Sequence, residues 1–245
     1  MSAFGLRPLR PEDVAASARL HQEVLGTEFL GRCGDGFVRL YHRAWLESPV
    51  SLALTAVDES GELVGVLLGA FEPETHYRTM VRKQGPVLAL RLVVRAASHP
   101  SFARELVATR AVRYARGVTR ILAAALPLPP CRHQTLSAPG GSDTRASRGD
   151  SDSIPRSDGG IRTPSVGEIT HVMVRQDARG RGVGRALLEE ARRVCKNAGL
   201  NELVLVTPPD LAARTFYEHL GWRYAGKLTS RSDEDFVRYR LPLNP

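Results

Sequence analysis

Three glycines at alternate positions, Gly180, Gly182 and Gly184, stand among Arg179, Arg181 and Arg185 in a run that leads from apolar Val172-Met173-Val174 to Ala186-Leu187-Leu188. Residues of these types at this spacing can bind an anion. Glycine leaves no side chain in the way, and the amides of the turn and of the first helical turn can point at a phosphate with the positive end of a helix dipole behind them. A glycine-rich turn between strand and helix also suits a plain tight connection, so the spacing must decide. Neither nucleotide signature fits: there is no G-x-x-x-x-G-K-[ST], and G-x-G-x-x-G fails because position 185 is arginine.

The elements that would hold this cradle are legible around it. Leu187, Leu188, Ala191, Val194, Cys195 and Ala198 recur at three- and four-residue steps with charged residues between them, which predicts an amphipathic helix. Gly199 is placed to cap it in the left-handed conformation, and 201–207 follows as a buried strand. Upstream, Leu6 to Arg10 reads as a short strand, and Pro11-Glu12-Asp13 opens a helix. A second helix is predicted over Asp35 to Glu47. Ser51 to Val57 and Glu62 to Phe71 read as strands joined by the turn Asp58-Glu59-Ser60-Gly61.

Arg179, Gly182 and Gly184 supply a sequence that resembles the acetyl-CoA signature [QR]-x-x-G-x-[GA] of the GCN5-related N-acetyltransferases (GNAT). Residues 211–222, with Tyr217, Gly221 and Trp222, are similar to that family's later A-x-x-F/L-Y-x-x-x-G-F helix, in the order and separation the family has. The resemblance covers residues 1 to about 72 and 166 to 245. It implies an α/β fold of the acyl-CoA N-acyltransferase type: a mixed, mostly antiparallel central sheet, splayed where the cofactor enters, with helices on both faces. It also implies acetyl-CoA as co-substrate and an N-acetyltransferase reaction by direct transfer to a primary amine in a ternary complex.

Transfer to an amine needs a neutral nucleophile, a stabilised oxyanion and a proton for the departing thiolate. An alkyl amine with a pKa of about 10.4 is unprotonated only about once in a few thousand molecules at pH 7, so a base helps. The resemblance offers Glu168, at the start of the strand leading to the cradle, with His171 as second choice and Thr170 as a lining residue. It offers Tyr217 as the acid, a hydroxyl of pKa about 10 facing a thiol of about 8.5. It implies that the backbone of Met173 and Val174 holds the pantetheine arm like an added strand. The pyrophosphate then falls to Arg179, Gly180, Arg181, Gly182, Val183, Gly184 and Arg185. Asp210 stands where many members carry an asparagine that bonds the cofactor arm. A carboxylate accepts but does not donate, and Asp210 also suits a cap for the helix opening at Leu211. Trp222 replaces the common phenylalanine conservatively.

The length of 245 residues suits one such domain, 1–245, carrying insertions. Segment 73–126 reads as a basic helical insertion. Between His76 and Ala125 ten cations face the single acid Glu105, a net charge of +9 against +8 for the whole chain. Val87 to Val94 is too short and too interrupted by arginine to cross a bilayer, which takes roughly 20 apolar residues. The insertion reads as a helical addition packing on the domain with its arginines in water; an anionic membrane surface or lipid-linked acceptor is the second reading. Nucleic acid ranks last, because interleaved aromatics are missing. Segment 127–165 holds six Pro, five Gly and seven Ser in 39 residues and reads as a disordered surface loop.

Cys33, Cys131 and Cys195 are odd in number and scattered, with neither disulfide logic nor metal spacing. No signal or transmembrane span is visible, so the expected compartment is the cytoplasm, and the arginine- and alanine-rich composition suggests a bacterial source. The acceptor, a small molecule or a peptide, is not legible. The alternative function is a non-catalytic acyl-CoA-binding regulatory domain that docks through the basic insertion on an anionic membrane or a partner.

Overall fold

In the computed structural model, the apolar runs lie side by side in one seven-stranded sheet of order β1-β2-β3-β4-β5-β7-β6. Its strands are β1 (Phe4–Pro8), β2 (Ser51–Asp58), β3 (Leu63–Ala70), β4 (Val166–Val174), β5 (Glu202–Thr207), β6 (Arg223–Thr229) and β7 (Asp235–Pro242). The helices whose bounds lie among the described residues are α1 (Val14–Leu25), α2 (Phe29–Arg32), α3 (Asp35–Glu47), α4 (Pro73–Ser98), α5 (Val183–Asn197) and α6 (Leu211–His219). The structure describes residues 4–104, 106, 165–209, 211–229 and 235–243, with only the backbone at 211 and 212. All belong to the compact unit Met1–Ala111 with Thr163–Pro245. Residues 127–164 of the expected loop 127–165, the insertion at 105 and beyond 106, and Asp210 lie outside the described residues.

All neighbouring strands pair antiparallel except β4 and β5, which run parallel. This is the mixed, mostly antiparallel sheet that the resemblance implies. β3 is apolar along its whole length because both its faces are covered. On one face Val64, Leu67 and Ile169 pack with Leu187, Leu188, Ala191 and Cys195 of α5, and Tyr217 of α6 joins this cluster. On the other face Val66, Leu68 and Met173 pack with Leu20 of α1, Trp45 of α3 and Met80 of α4. Helices therefore lie on both faces.

Local signals set the element ends. Gly199 has φ +81° and closes α5. The Leu200 amide donates to the Cys195 carbonyl and the Gly199 amide to the Lys196 carbonyl, the paired bonds of a left-handed helix stop. Cys195 itself is fully buried on the inner face of α5. Proline and two acids form a 3-10 turn at Pro11–Asp13 that leads into α1 rather than the first turn of α1 itself. α3 runs over the residues, Asp35 to Glu47, that the sequence predicts for a second helix. The sequence assigns no element to residues 223–243, which form the last hairpin, β6 and β7.

Candidate active site

β4 and β5 pair only from Val166 opposite Glu202 to Ile169 opposite Leu205. β4 continues to Val174 against β3, whereas β5 continues to Thr207 against β7. The two strands thus part after Ile169, leaving the β5-side edge of residues 170–174 unpaired. A cleft of about 230 Å³ opens in the parting. Thr170, His171 and Val172 line it from β4, Val206 and Thr207 from β5, and Tyr217 from α6.

The cradle stands at the far end of β4. Gly180 and Gly182 have φ of +73° and +83°, values that side chains disfavour, and a Cβ added at either would meet nothing within 4 Å. Gly182 is the N-cap of α5, and its carbonyl accepts from the Ala186 amide. The amides of Val183, Gly184 and Arg185 in the first turn have no intrahelical acceptor. The Val183 side chain is buried against Gly65 of β3, so only its amide faces the cradle. Arg179, Arg181 and Arg185 are exposed. Arg179 is drawn back toward the strand, its Nε donating to the Val174 carbonyl at 3.3 Å. Arg175 fixes the approach to the turn: it donates to Asp177 at 2.7 Å and to Glu62 of the β2–β3 hairpin at 2.9 Å. These carboxylates raise its pKa.

The face opposite α5 shows an arrangement that alternation along β4 conceals. Leu68 pairs with His171 but Gly69 pairs with Ile169, so Thr170 is an extra residue in β4. Such a bulge lets consecutive side chains share a face. Glu168 and Thr170 both reach the Tyr77 hydroxyl, at 3.4 and 3.2 Å, while His171 Nε2 lies 3.1 Å from the Tyr41 hydroxyl. Three β4 side chains with chemistry therefore stand on the side covered by α1, α3 and α4.

Burial sets their proton affinities. Desolvation raises the Glu168 pKa against the pull of its Tyr77 bond and of the Arg238 charge. The Tyr77 hydroxyl is pushed up to about 12 by burial and by the Glu168 charge. His171 is pushed down to about 3, first by burial and then by neighbouring His21. Behind it, His21 Nδ1 lies 3.1 Å from His42 Nε2, and His42 Nδ1 lies 2.6 Å from the Ser17 hydroxyl. Burial holds His21 at about 4 and His42 at about 2, so all three rings are neutral near pH 7.

Tyr217 reaches the cleft from the other side. α6 stops at Gly221, with φ +82°, and the Trp222 amide donates to the Tyr217 carbonyl at 3.1 Å while the Gly221 amide donates to the Glu218 carbonyl at 3.0 Å. The Tyr217 ring packs edge-on against Phe216 and Trp222. Burial raises its pKa to about 12, so the hydroxyl keeps its proton at neutral pH.

The structure thus gathers Tyr217, Thr170 and His171 at the cleft, puts Glu168 on the Thr170 side of the sheet, and sets the glycines of 180–184 at the end of the same strand. Sequence reasoning passes over Tyr41, Tyr77, His21 and His42. Their signal was present: polar rings on the inward faces of helices, where Val38 and Trp45 mark the buried side of α3.

The acetyltransferase (GNAT) family model matches residues 151–222. No curated protein matches the chain in sequence. Among solved structures, an acetyltransferase of the GNAT family from Desulfovibrio desulfuricans has a TM-score of 0.53 at 14% identity, covering 99% of this chain and 100% of that one. The ribosomal-protein-S18-alanine N-acetyltransferase from Escherichia coli has a TM-score of 0.51 at 12% identity, covering 99% and 95%. The NatC complex bound to Gag peptide and CoA has a TM-score of 0.50 at 15% identity, covering 98% and 99%. The chain therefore has the fold of the GNAT acetyltransferases, and its residues 151–222 match that family's model.

Proposed function

We propose that the protein acetylates a primary amine, on a small molecule or a peptide, by direct transfer in a ternary complex. The observation that carries this reading is the parting of β4 from β5, which leaves a bare strand edge facing Tyr217 across the cleft. When bound, acetyl-CoA supplies an activated thioester carbonyl and a thiol leaving group. The chain's own residues fit such a ligand. The open glycine turn and the free amides of 183–185 suit a pyrophosphate. The free edge of Met173 and Val174 suits an extended amide-bearing arm, although Arg179 takes up the Val174 carbonyl.

Glu168 is the base in this reading. A carboxylate whose pKa is raised by burial holds a proton better than an exposed one, and Tyr77 orients it. His171 shares the face, but at a pKa of about 3 and with Nε2 engaged by Tyr41 it serves better as a neutral lining group. Tyr217 Oη keeps its proton at neutral pH and donates it on the thiol side.

Calorimetric titration with acetyl-CoA, followed by release of free thiol on addition of amines, tests the reading. Saturable binding with amine-dependent thiol release supports it. Binding without release across a broad amine panel favours the non-catalytic acyl-CoA-binding domain, and no binding removes both.

A further inference from the structure

α4 is apolar on two sides. Its inner side, Tyr77, Met80, Leu88, Leu92 and Ala96, packs on α3 and on the residues around Cys33 and Phe37. A helix with that inner stripe would ordinarily turn polar residues outward. Instead Val87, Leu90, Val93 and Val94 are exposed at 47%, 62%, 63% and 57%. With Val81 they make five of the nine large apolar side chains exposed among the described residues, so the exposed apolar surface is concentrated on this one helix.

The charges beside that face have one sign. From Thr75 to Arg104 there are six arginines and lysines and no acid. Arg78, Arg82 and Lys83 are exposed in the turns just before the apolar face. Arg91 and Arg95 lean toward the neighbouring helices instead, Arg91, still exposed, lying over Gly36 and Arg95 donating to the Arg32 carbonyl.

We infer that the outer face of α4 docks on an anionic phospholipid bilayer, with Leu90, Val93 and Val94 entering the acyl boundary and Arg82 and Lys83 at the headgroups. A helix that lies in the interface sets bare aliphatic side chains between flanking cations, and from Thr75 to Arg104 no acid opposes an anionic surface. No described helix is long and apolar enough to cross a membrane, so α4 lies on the surface. A second copy of the chain fits less well, because two such helices would set like charges against each other. A polyanion such as RNA would leave the aliphatic side chains unused, since nucleic acid prefers aromatic stacking platforms.

Co-sedimentation of the full chain with phosphatidylglycerol–phosphatidylcholine vesicles, against phosphatidylcholine alone, is the test. Binding to the anionic vesicles only is expected. Leu90→Glu with Val94→Glu weakens it more than about tenfold. Arg82→Gln and Lys83→Gln each weaken it roughly fivefold. All variants keep the wild-type melting temperature and acetyl-CoA affinity, because the altered side chains are exposed. Absence of binding overturns the proposal, as does binding that survives the Leu90/Val94 pair, which marks a plain polyanion effect. A dimer in sedimentation velocity that the same pair dissociates also overturns it, assigning the face to a second copy.

Discussion

The Trp222 amide donates to the carbonyl of Tyr217, five residues back, across a left-handed Gly221. The helix stop and the proposed acid are therefore one device: the bond that ends α6 also fixes the backbone from which the Tyr217 ring reaches the cleft. Gly221→Ala is expected to cost about 1–2 kcal/mol of stability through the left-handed backbone, and to lower turnover as well. Tyr217→Phe keeps the helix stop; its turnover is expected to fall about 100-fold or more while acetyl-CoA affinity holds. Thermal melts with thiol-release kinetics on both variants separate the two roles.

Glu168→Gln removes the proposed base without changing volume, and kcat/KM is expected to fall about 100- to 10,000-fold. In the wild type the ionised carboxylate is the active form. Because its pKa is raised, activity is lost on acidification at a pH above the ordinary glutamate range, and Tyr77→Phe shifts that limb. A pH profile of kcat/KM checks this; an acid limb unchanged in Glu168→Gln would rule the base out.

The cradle has room for a side chain at both Gly182 and Gly184. A Cβ at Gly184 would meet Phe216 at 3.5 Å, while Gly182 faces open space at φ +83°. Gly182→Glu with Gly184→Glu places two carboxylates where a pyrophosphate would sit, and calorimetry is expected to show acetyl-CoA binding lost.

Gly65 bears on the same turn from beneath. A Cβ there would lie 2.7 Å from Val183 Cγ1 and 3.1 Å from Leu187 Cδ1, so Gly65→Ala pushes the first turn of α5 away from the sheet. The expected cost is about 1–3 kcal/mol in denaturant titration, with weaker acetyl-CoA binding, although the residue itself faces no ligand.

The buried histidines give the fold an acid limit. His21, His42 and His171 have folded pKa values of about 4, 2 and 3, below the ordinary 6.5. The unfolded chain therefore binds protons that the folded one refuses. Their contribution is fully present above pH 6.5 and is lost as pH falls toward 4, by about 1.4 kcal/mol per pH unit for each ring. Urea midpoints between pH 7 and 4.5 are expected to drop steeply, and less so in His42→Gln.

What the sequence showed was local. The α5 periodicity, its Gly199 stop, the Asp58–Gly61 turn and the α3 boundaries depend on residues within a few positions of one another, and all are found in the structure. The grouping of Glu168, Thr170 and His171 depends on β3 pairing with one residue fewer than β4 supplies, which no alternation pattern in β4 can encode. Tyr41 and Tyr77 enter the site from helices whose packing on the sheet brings residues about 90 to 130 positions apart into contact. The unassigned last hairpin had no apolar run strong enough to stand out: β6 is mostly exposed.

An unpaired strand edge is ordinarily a hazard, because other chains can add to it and start aggregation. Here the bare edge of β4 is recessed inside the sheet. Val206, Thr207 and Tyr217 wall a space of about 230 Å³, which admits a single narrow thread and no second sheet. A slender ligand lying along that edge would bridge the gap between β4 and β5 from within the sheet, whereas the outer edges β1 and β6 stay as they are.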